Sequence, residues 1–273
     1  MKIIVTDKLI MEYLQGKDLN DFAQEWFFSV ARPFTRPAAD PQTKEKVKKQ
    51  YSCIQNQGGV FHPLNKSSLD ILFPGWQEEV VLVDLIVGFP APYDAVAETA
   101  PDGKVHIVLD VVQFAAYDLT EEQSEAAIRN LLTHELVHVL MEKRFPGLAD
   151  GFGSLEYTRI MDALVFNEGI AHLLSYKSRE LDEIDWTDSK LQDIYVRSKQ
   201  QLKAALSESN KDLQTKRLEE AVTGPYFEKY GAMSGMLYFA EKWKSNGIFG
   251  LEQELETGVD HFTNRILGIV NEK

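Results

Sequence analysis

One cysteine, Cys53, stands in 273 residues, so no disulfide can close within the chain and a thiolate metal cluster is excluded. No nucleophile motif surrounds it, and it reads as a small, partly buried side chain. Also lacking is any run of about 18 uncharged apolar residues, the length that spans a bilayer. The N-terminal stretch "MKIIVTDKLIMEYLQG" comes nearest to a leader, yet Asp7, Lys8 and Glu12 interrupt it before a secretory core forms. The chain therefore reads as cytoplasmic, with no membrane partner. Positive charge is scarce too: 29 Lys and Arg against 42 Asp and Glu leave a net charge of -13. A surface that neutralises phosphates needs clustered cations. The one basic run, "KEKVKKQ" at 44–50, reads as a solvated helix face, so nucleic acid is not expected as a partner. No internal repeat or low-complexity tract is visible. What is present, 44% hydrophobic and 26% charged residues over this length, suffices for a buried core in one large domain or two packed lobes.

The order of patterns predicts an α+β fold, with an N-terminal α/β lobe over 1–145 and a mainly helical lobe over 146–273. "KIIVT" (2–6) and "VVLVDLIVG" (80–88) are β-branched runs of strand length, and "LNDFAQEWFFSVA" (19–31) has helical spacing. Three prolines in "ARPFTRPAADP" (31–41) break any helix there. "GKVHIVLDVVQF" (103–114), introduced by the Asp102–Gly103 turn signal, predicts a further strand. From residue 120 onward the pattern is helical, over roughly 121–143, 156–180, 188–207, 210–222 and 225–247. Thr120 and Gln123 form a capping-box pattern at the first start, and Lys143 and Arg144 before "FPG" mark its end.

Within the first of these helices, "LLTHELVHVL" (131–140) sets His134, Glu135 and His138 into an apolar run. Positions i and i+4 differ by about 40° of rotation and one turn of rise, so the two imidazoles share a face and can reach one metal ion. Glu135 lies about 100° away, off the ion but close enough to contact a water beside it. In this H-E-x-x-H arrangement the histidines bind zinc and the glutamate is the general base. The plainer reading makes both histidines hydrogen-bonded core residues. A third ligand is available in "FNEGIAHLLSY" (166–176): Glu168 follows His138 by thirty positions, on a helix able to pack against the first. Gly169 costs about 1 kcal/mol relative to Ala in an exposed helix, which points to a close approach of two backbones such as a shared ion requires. Two histidines and one carboxylate leave a fourth coordination position open, as catalytic sites do.

"HELVH" followed by "NEGIA" resembles the gluzincin metallopeptidases of the thermolysin-like clan, and the second element is similar to the "NEGFA" signature of zinc aminopeptidases. The resemblance covers chiefly residues 120–245. It implies a zincin-like fold with one zinc ion per chain, His134, His138 and Glu168 as ligands, and Glu135 as catalytic base. "PYFEKYGA" (225–232) is similar to the "PYEKGA"-like segment that presents a tyrosine to the reaction centre, which implies Tyr226. Phe227 and Tyr230 interrupt the pattern, and Tyr230 stands as the alternative. Such a phenol stabilises the oxyanion that forms during attack.

Three departures from the family pattern stand out. The gap between His138 and Glu168 is longer, leaving room for an extra loop over 145–155. Where thermolysin-like enzymes often carry an aspartate that orients a zinc histidine, this chain has His172, read as a packed or solvated helix-face residue, and Asp162 or Glu142 is left to supply such a carboxylate. "GAMSG" (231–235) shares letters with the amine-holding "GAMEN" segment but follows the zinc ligands and lacks the glutamate, so strict aminopeptidase activity is not expected. In "KVHIVLDVVQF" an edge strand bordering the cleft is expected, with a peptide adding to it. His106 on it reads as an outward strand residue, and His62 and His261 have no metal-like spacing.

The expected activity is hydrolysis of a peptide or protein substrate by a zinc-activated water, with Glu135 as base and Tyr226 or Tyr230 steadying the oxyanion. Two alternatives stand beside it: an inactive zincin-like binding or regulatory protein that keeps zinc or peptide in the same cleft, and a scaffold in which these residues only pack helices.

Overall fold

The computed structural model describes residues 1–30, 32–58, 61–91 and 93–269. Along the chain run β1 (Lys2–Thr6), α1 (Lys8–Leu14), α2 (Trp26–Val30), α3 (Pro41–Gly58), α4 (Lys66–Leu72), β2 (Val80–Ile86), β3 (Ala95–Thr99), β4 (Val105–Asp110) and α5 (Val111–Ala115). There follow α6 (Glu121–Arg144), α7 (Tyr157–Ser175), α8 (Ser189–Leu206), α9 (Lys211–Val222), α10 (Tyr230–Thr257) and α11 (Phe262–Leu267). Among the described residues this is an α+β chain, mostly helical, with a small mixed sheet. None of these helices is long and apolar enough to cross a membrane. The chain divides into two compact units, Met1–Pro63 with Gly75–Val139, and Leu64–Pro74 with Leu140–Lys273.

In the first unit the sheet order is β1-β2-β4-β3, with β1, β2 and β4 parallel and β3 antiparallel to β4. Side chains alternate across a strand, so Ile3, Val81, Val83 and Ile107 share one face. That apolar face lines a small pocket with Leu132 and Leu136 of α6. One turn of rise separates Ser124, Ile128, Leu132 and Leu136, all buried, which gives α6 its inward stripe. His134 and His138 lie roughly 200° and 240° round the helix from Leu132, on the side turned away from the sheet. The capping box forms: the Thr120 amide donates to Gln123 Oε1 at 3.0 Å and the Gln123 amide to Thr120 Oγ1 at 3.3 Å.

Two sequence expectations are corrected here. The strand over 103–114 ends at Asp110, because that side chain accepts the Val112 and Gln113 amides at 2.8 and 2.9 Å and turns the chain into α5. Asp110 also accepts from the Gly88 and Phe89 amides at 2.6 and 2.7 Å, so it fixes the exit of β2 as well. Burial holds its pKa up at about 6, against the four amide donors that pull it down. Nor is β4 an edge strand: it pairs with β2 on one side and β3 on the other, so its backbone has no free edge for an added peptide.

The helix expected over 19–31 is broken into a 3-10 turn, Asn20–Gln24, and α2, because Glu25 is extended at φ -63° and ψ 147°; Ala31 lies outside the described residues. Pro41 opens α3 where its missing N–H costs nothing. The basic run lies on α3 as a solvated face, with Lys48 and Lys49 exposed and Val47 and Gln50 inward. Cys53, on the same helix, is buried, and burial pushes its thiol pKa up. It is inert packing.

In the second unit α7 is buried along most of its length, from Met161 to Ser175, and its closest neighbour is α10. A Cβ on Gly169 would come within 2.7 Å of the Gly235 backbone, and one on Gly235 would strike the Val165 carbonyl. The close approach read from Gly169 is therefore with α10, through paired glycines. Phe166 anchors the core, with ring centroids 5.5 Å from Phe145, 5.6 Å from Phe239 and 4.9 Å from Phe262. Burying each such ring contributes about 2–3 kcal/mol.

Helix α7 ends at Ser175 rather than near 180, since Asn65 Nδ2 donates to the Leu174 carbonyl at 2.8 Å and Asn65 Oδ1 accepts the Leu181 amide at 2.7 Å. Arg144 donates to the Leu72 carbonyl at 2.6 Å. These bonds hold 64–74 within the second unit. The helix expected over 225–247 starts later and runs longer. Tyr226–Glu228 is a 3-10 turn, and α10 continues to Thr257 through a break at Gly247, φ 57° and ψ -144°.

Candidate functional site

On α6 the two imidazoles meet. His134 Nε2 and His138 Nε2 are 3.1 Å apart, the rings nearly perpendicular at 87° with centroids 4.7 Å apart. Two nitrogens bonded to one tetrahedral ion at about 2.0–2.1 Å would stand about 3.3 Å apart, and an N–H···N hydrogen bond between the two rings has a similar length, so the 3.1 Å spacing fits both. The backbone makes this possible without strain, since i and i+4 are stacked neighbours on a helix. Glu135, on the next position, is only 5% exposed. A carboxylate in that surrounding costs free energy unless it is paired or used.

On α7, Glu168 and His172 are likewise i and i+4. His172 Nδ1 lies 2.9 Å from the Glu168 carbonyl oxygen and 3.3 Å from Glu168 Oε2. His172 is 3% exposed, which bears out the packed rather than the solvated reading of it. The sequence reading set it aside; its spacing from Glu168 was the signal that could have kept it in. Tyr226 packs on it, ring centroids 5.4 Å apart and tilted by 48°, and Tyr226 also lies 6.2 Å from Tyr176.

The two tyrosines of the 225–232 segment differ. Tyr226 is 40% exposed as a residue, yet its hydroxyl end is desolvated and burial raises its pKa, so the phenol stays protonated near neutrality. Its hydroxyl faces the thioether of Met236 at 4.0 Å, a weak acceptor. Tyr230 is 4% exposed and donates its O–H to the Arg217 carbonyl of α9. Its hydroxyl is engaged in holding α9 to the start of α10.

Other residues weighed in the sequence have local duties. Asp162 accepts from the His261 amide at 3.1 Å and from Thr263 N and Oγ1 at 2.8 and 2.6 Å, which fixes the start of α11. Glu142 accepts from the Gly147 and Ala149 amides and folds the turn after α6. In these contacts neither carboxylate is bonded to His134 or His138. His106 is half-buried rather than outward: its Nδ1 lies 2.7 Å from Asp84 Oδ2 and its ring 5.4 Å from Trp26. The carbonyl of His62 accepts from Arg129 at 2.7 Å. The glycines of "GAMSG" serve packing, Gly231 against Ala221 and Gly235 against Gly169.

Compared with family models, with curated proteins and with solved structures, the chain finds no match.

Proposed function

We propose that this chain is a zinc metallopeptidase that hydrolyses peptide bonds, its ion shared by His134, His138 and Glu168. The observation that carries the reading is the 3.1 Å Nε2 to Nε2 spacing on one face of α6, beside a buried Glu135. Two members of the proposed ligand set, His134 and Glu168, belong with His172 to a group that could hold a metal ion, a group in which His172 stands where the proposal has His138. Nitrogen donors with a single carboxylate suit zinc better than calcium or magnesium, which take oxygen ligands.

When bound, zinc supplies Lewis acidity toward a carbonyl and brings the pKa of water toward neutrality. The protein's own groups handle the protons. Glu135 takes the proton of the attacking water on its carboxylate and returns it to the amine nitrogen as the C–N bond breaks. Tyr226, a neutral donor, gives a hydrogen bond to the oxygen on which negative charge develops. Low exposure around Glu135 keeps bulk water from competing for its proton.

The test pairs metal content with hydrolysis of a mixed peptide pool read by mass. Glu135→Gln is expected to keep one zinc per chain and lose turnover by about 10²–10⁴-fold. His138→Ala is expected to lose both. Unchanged hydrolysis in Glu135→Gln, or a wild-type chain that binds no zinc, would overturn the proposal. Zinc binding without cleavage of any peptide would leave the binding-protein alternative standing in its place.

A further inference from the structure

His172 sits where it can govern the proposed carboxylate ligand, and the inference rests on the metallopeptidase reading. Its Nδ1 faces two oxygens of the same residue, the Glu168 carbonyl at 2.9 Å and the carboxylate Oε2 at 3.3 Å. Both oxygens are acceptors, so Nδ1 carries a hydrogen and shares it between them. From this geometry we infer that His172 is a positioning residue for Glu168: it anchors one carboxylate oxygen to the helix and limits rotation about the last side-chain bond.

Three features hold the imidazole for that task. It is 3% exposed, so its rotamer is set by packing. Tyr226 lies against it at 5.4 Å, and Met236 Sδ meets the hydroxyl of that tyrosine. Gly169 and Gly235 bring α7 and α10 into backbone contact, which places Met236 beside this stack. The carboxylate, the imidazole and the phenol are thereby one assembly. A ligand fixed before the ion arrives loses less conformational freedom on binding, and losing such an outer contact typically weakens a metal site by about 10–100-fold.

Zinc affinity, measured by competition with a chromogenic chelator, tests the inference without any turnover. Three variants separate shape from hydrogen bonding. His172→Phe keeps a ring but no donor; His172→Asn places an amide N–H near the position of Nδ1; His172→Gln reaches instead toward the position of Nε2. We expect His172→Phe and His172→Gln to bind zinc about 10–100-fold more weakly than wild type and His172→Asn to recover most of the loss. The two amide variants are both polar, so their contrast holds even if the phenylalanine variant fails to fold. Affinity within about twofold of wild type in His172→Gln, or equal loss in the Asn and Gln variants, would overturn the positioning role. A loss in His172→Asn as complete as that in His138→Ala would make His172 a ligand, which also overturns it. Should the wild-type chain bind no zinc while Glu168→Gln and wild type behave alike, the failure lies with the proposed function.

Discussion

Tyr226 and Tyr230 stand four residues apart in one short segment and have opposite hydrogen-bonding positions. The phenol of Tyr230 is engaged with the Arg217 carbonyl, whereas that of Tyr226 faces only a thioether in the described contacts. Tyr226→Phe is therefore expected to lower kcat by about 10²-fold with little change in melting temperature, as loss of one oxyanion donor does. Tyr230→Phe should leave kcat near wild type and destabilise the fold by about 1 kcal/mol, the worth of one hydrogen bond. Steady-state kinetics and thermal melts on both variants check this; the reverse pattern would assign the role to Tyr230. The segment's sequence could not separate them, because the decisive acceptor comes from a residue 13 positions upstream. His172 carries the same lesson: the i+4 spacing from Glu168 was legible, but its burial was not.

At the scale of elements, local period and punctuation were enough for α6, α8 and α9, whose predicted limits fall within a residue or so of those observed. They failed where a side chain redirected the chain. Asp110 interrupts an unbroken β-branched pattern, and the amides it accepts from Gly88 and Phe89 lie more than 20 residues earlier. Short β3, which the sequence reading missed, depends on pairing with β4 rather than on its own composition. The α7 and α10 contact yields a direct test. Gly235→Ala places a methyl against the Val165 carbonyl and the Gly169 backbone, and such overpacking costs about 1–3 kcal/mol or more. Gly268→Ala has open space around it and sits in the left-handed helical region at φ 67° and ψ 25°, so its cost should stay near about 1 kcal/mol. Urea denaturation should rank Gly235→Ala well below Gly268→Ala. Equal stability would contradict the close backbone packing.

For the whole molecule, an ion bound by the folded state must stabilise it by mass action. At a hundredfold excess of free zinc over Kd the gain is about 2.7 kcal/mol. In a chain of this size that corresponds to a rise in melting temperature of roughly 5–10 °C. A chelator should reverse the rise in wild type and in Glu135→Gln, and should have no effect in His138→Ala. Melting curves that superimpose with zinc and with chelator would count against a resident ion. Under the proposed function, the net charge of -13 would also bias long-range encounter toward neutral or basic peptides, an influence that salt screens.

The amino-acid sequence alone determined the donor types and their placement along each helix, since a period of 3.6 residues stacks His134 on His138 and Glu168 on His172 whatever surrounds them. Tertiary structure decided how each polar group is used: Asp162 is occupied by Thr263, Glu142 by its own turn, Tyr230 by α9 and Gly169 by α10. The physical reason is range. Helix geometry repeats within four residues, whereas hydrogen-bond partners come from as far as 116 residues away, as between Asn65 and Leu181, and burial makes each such partner decisive.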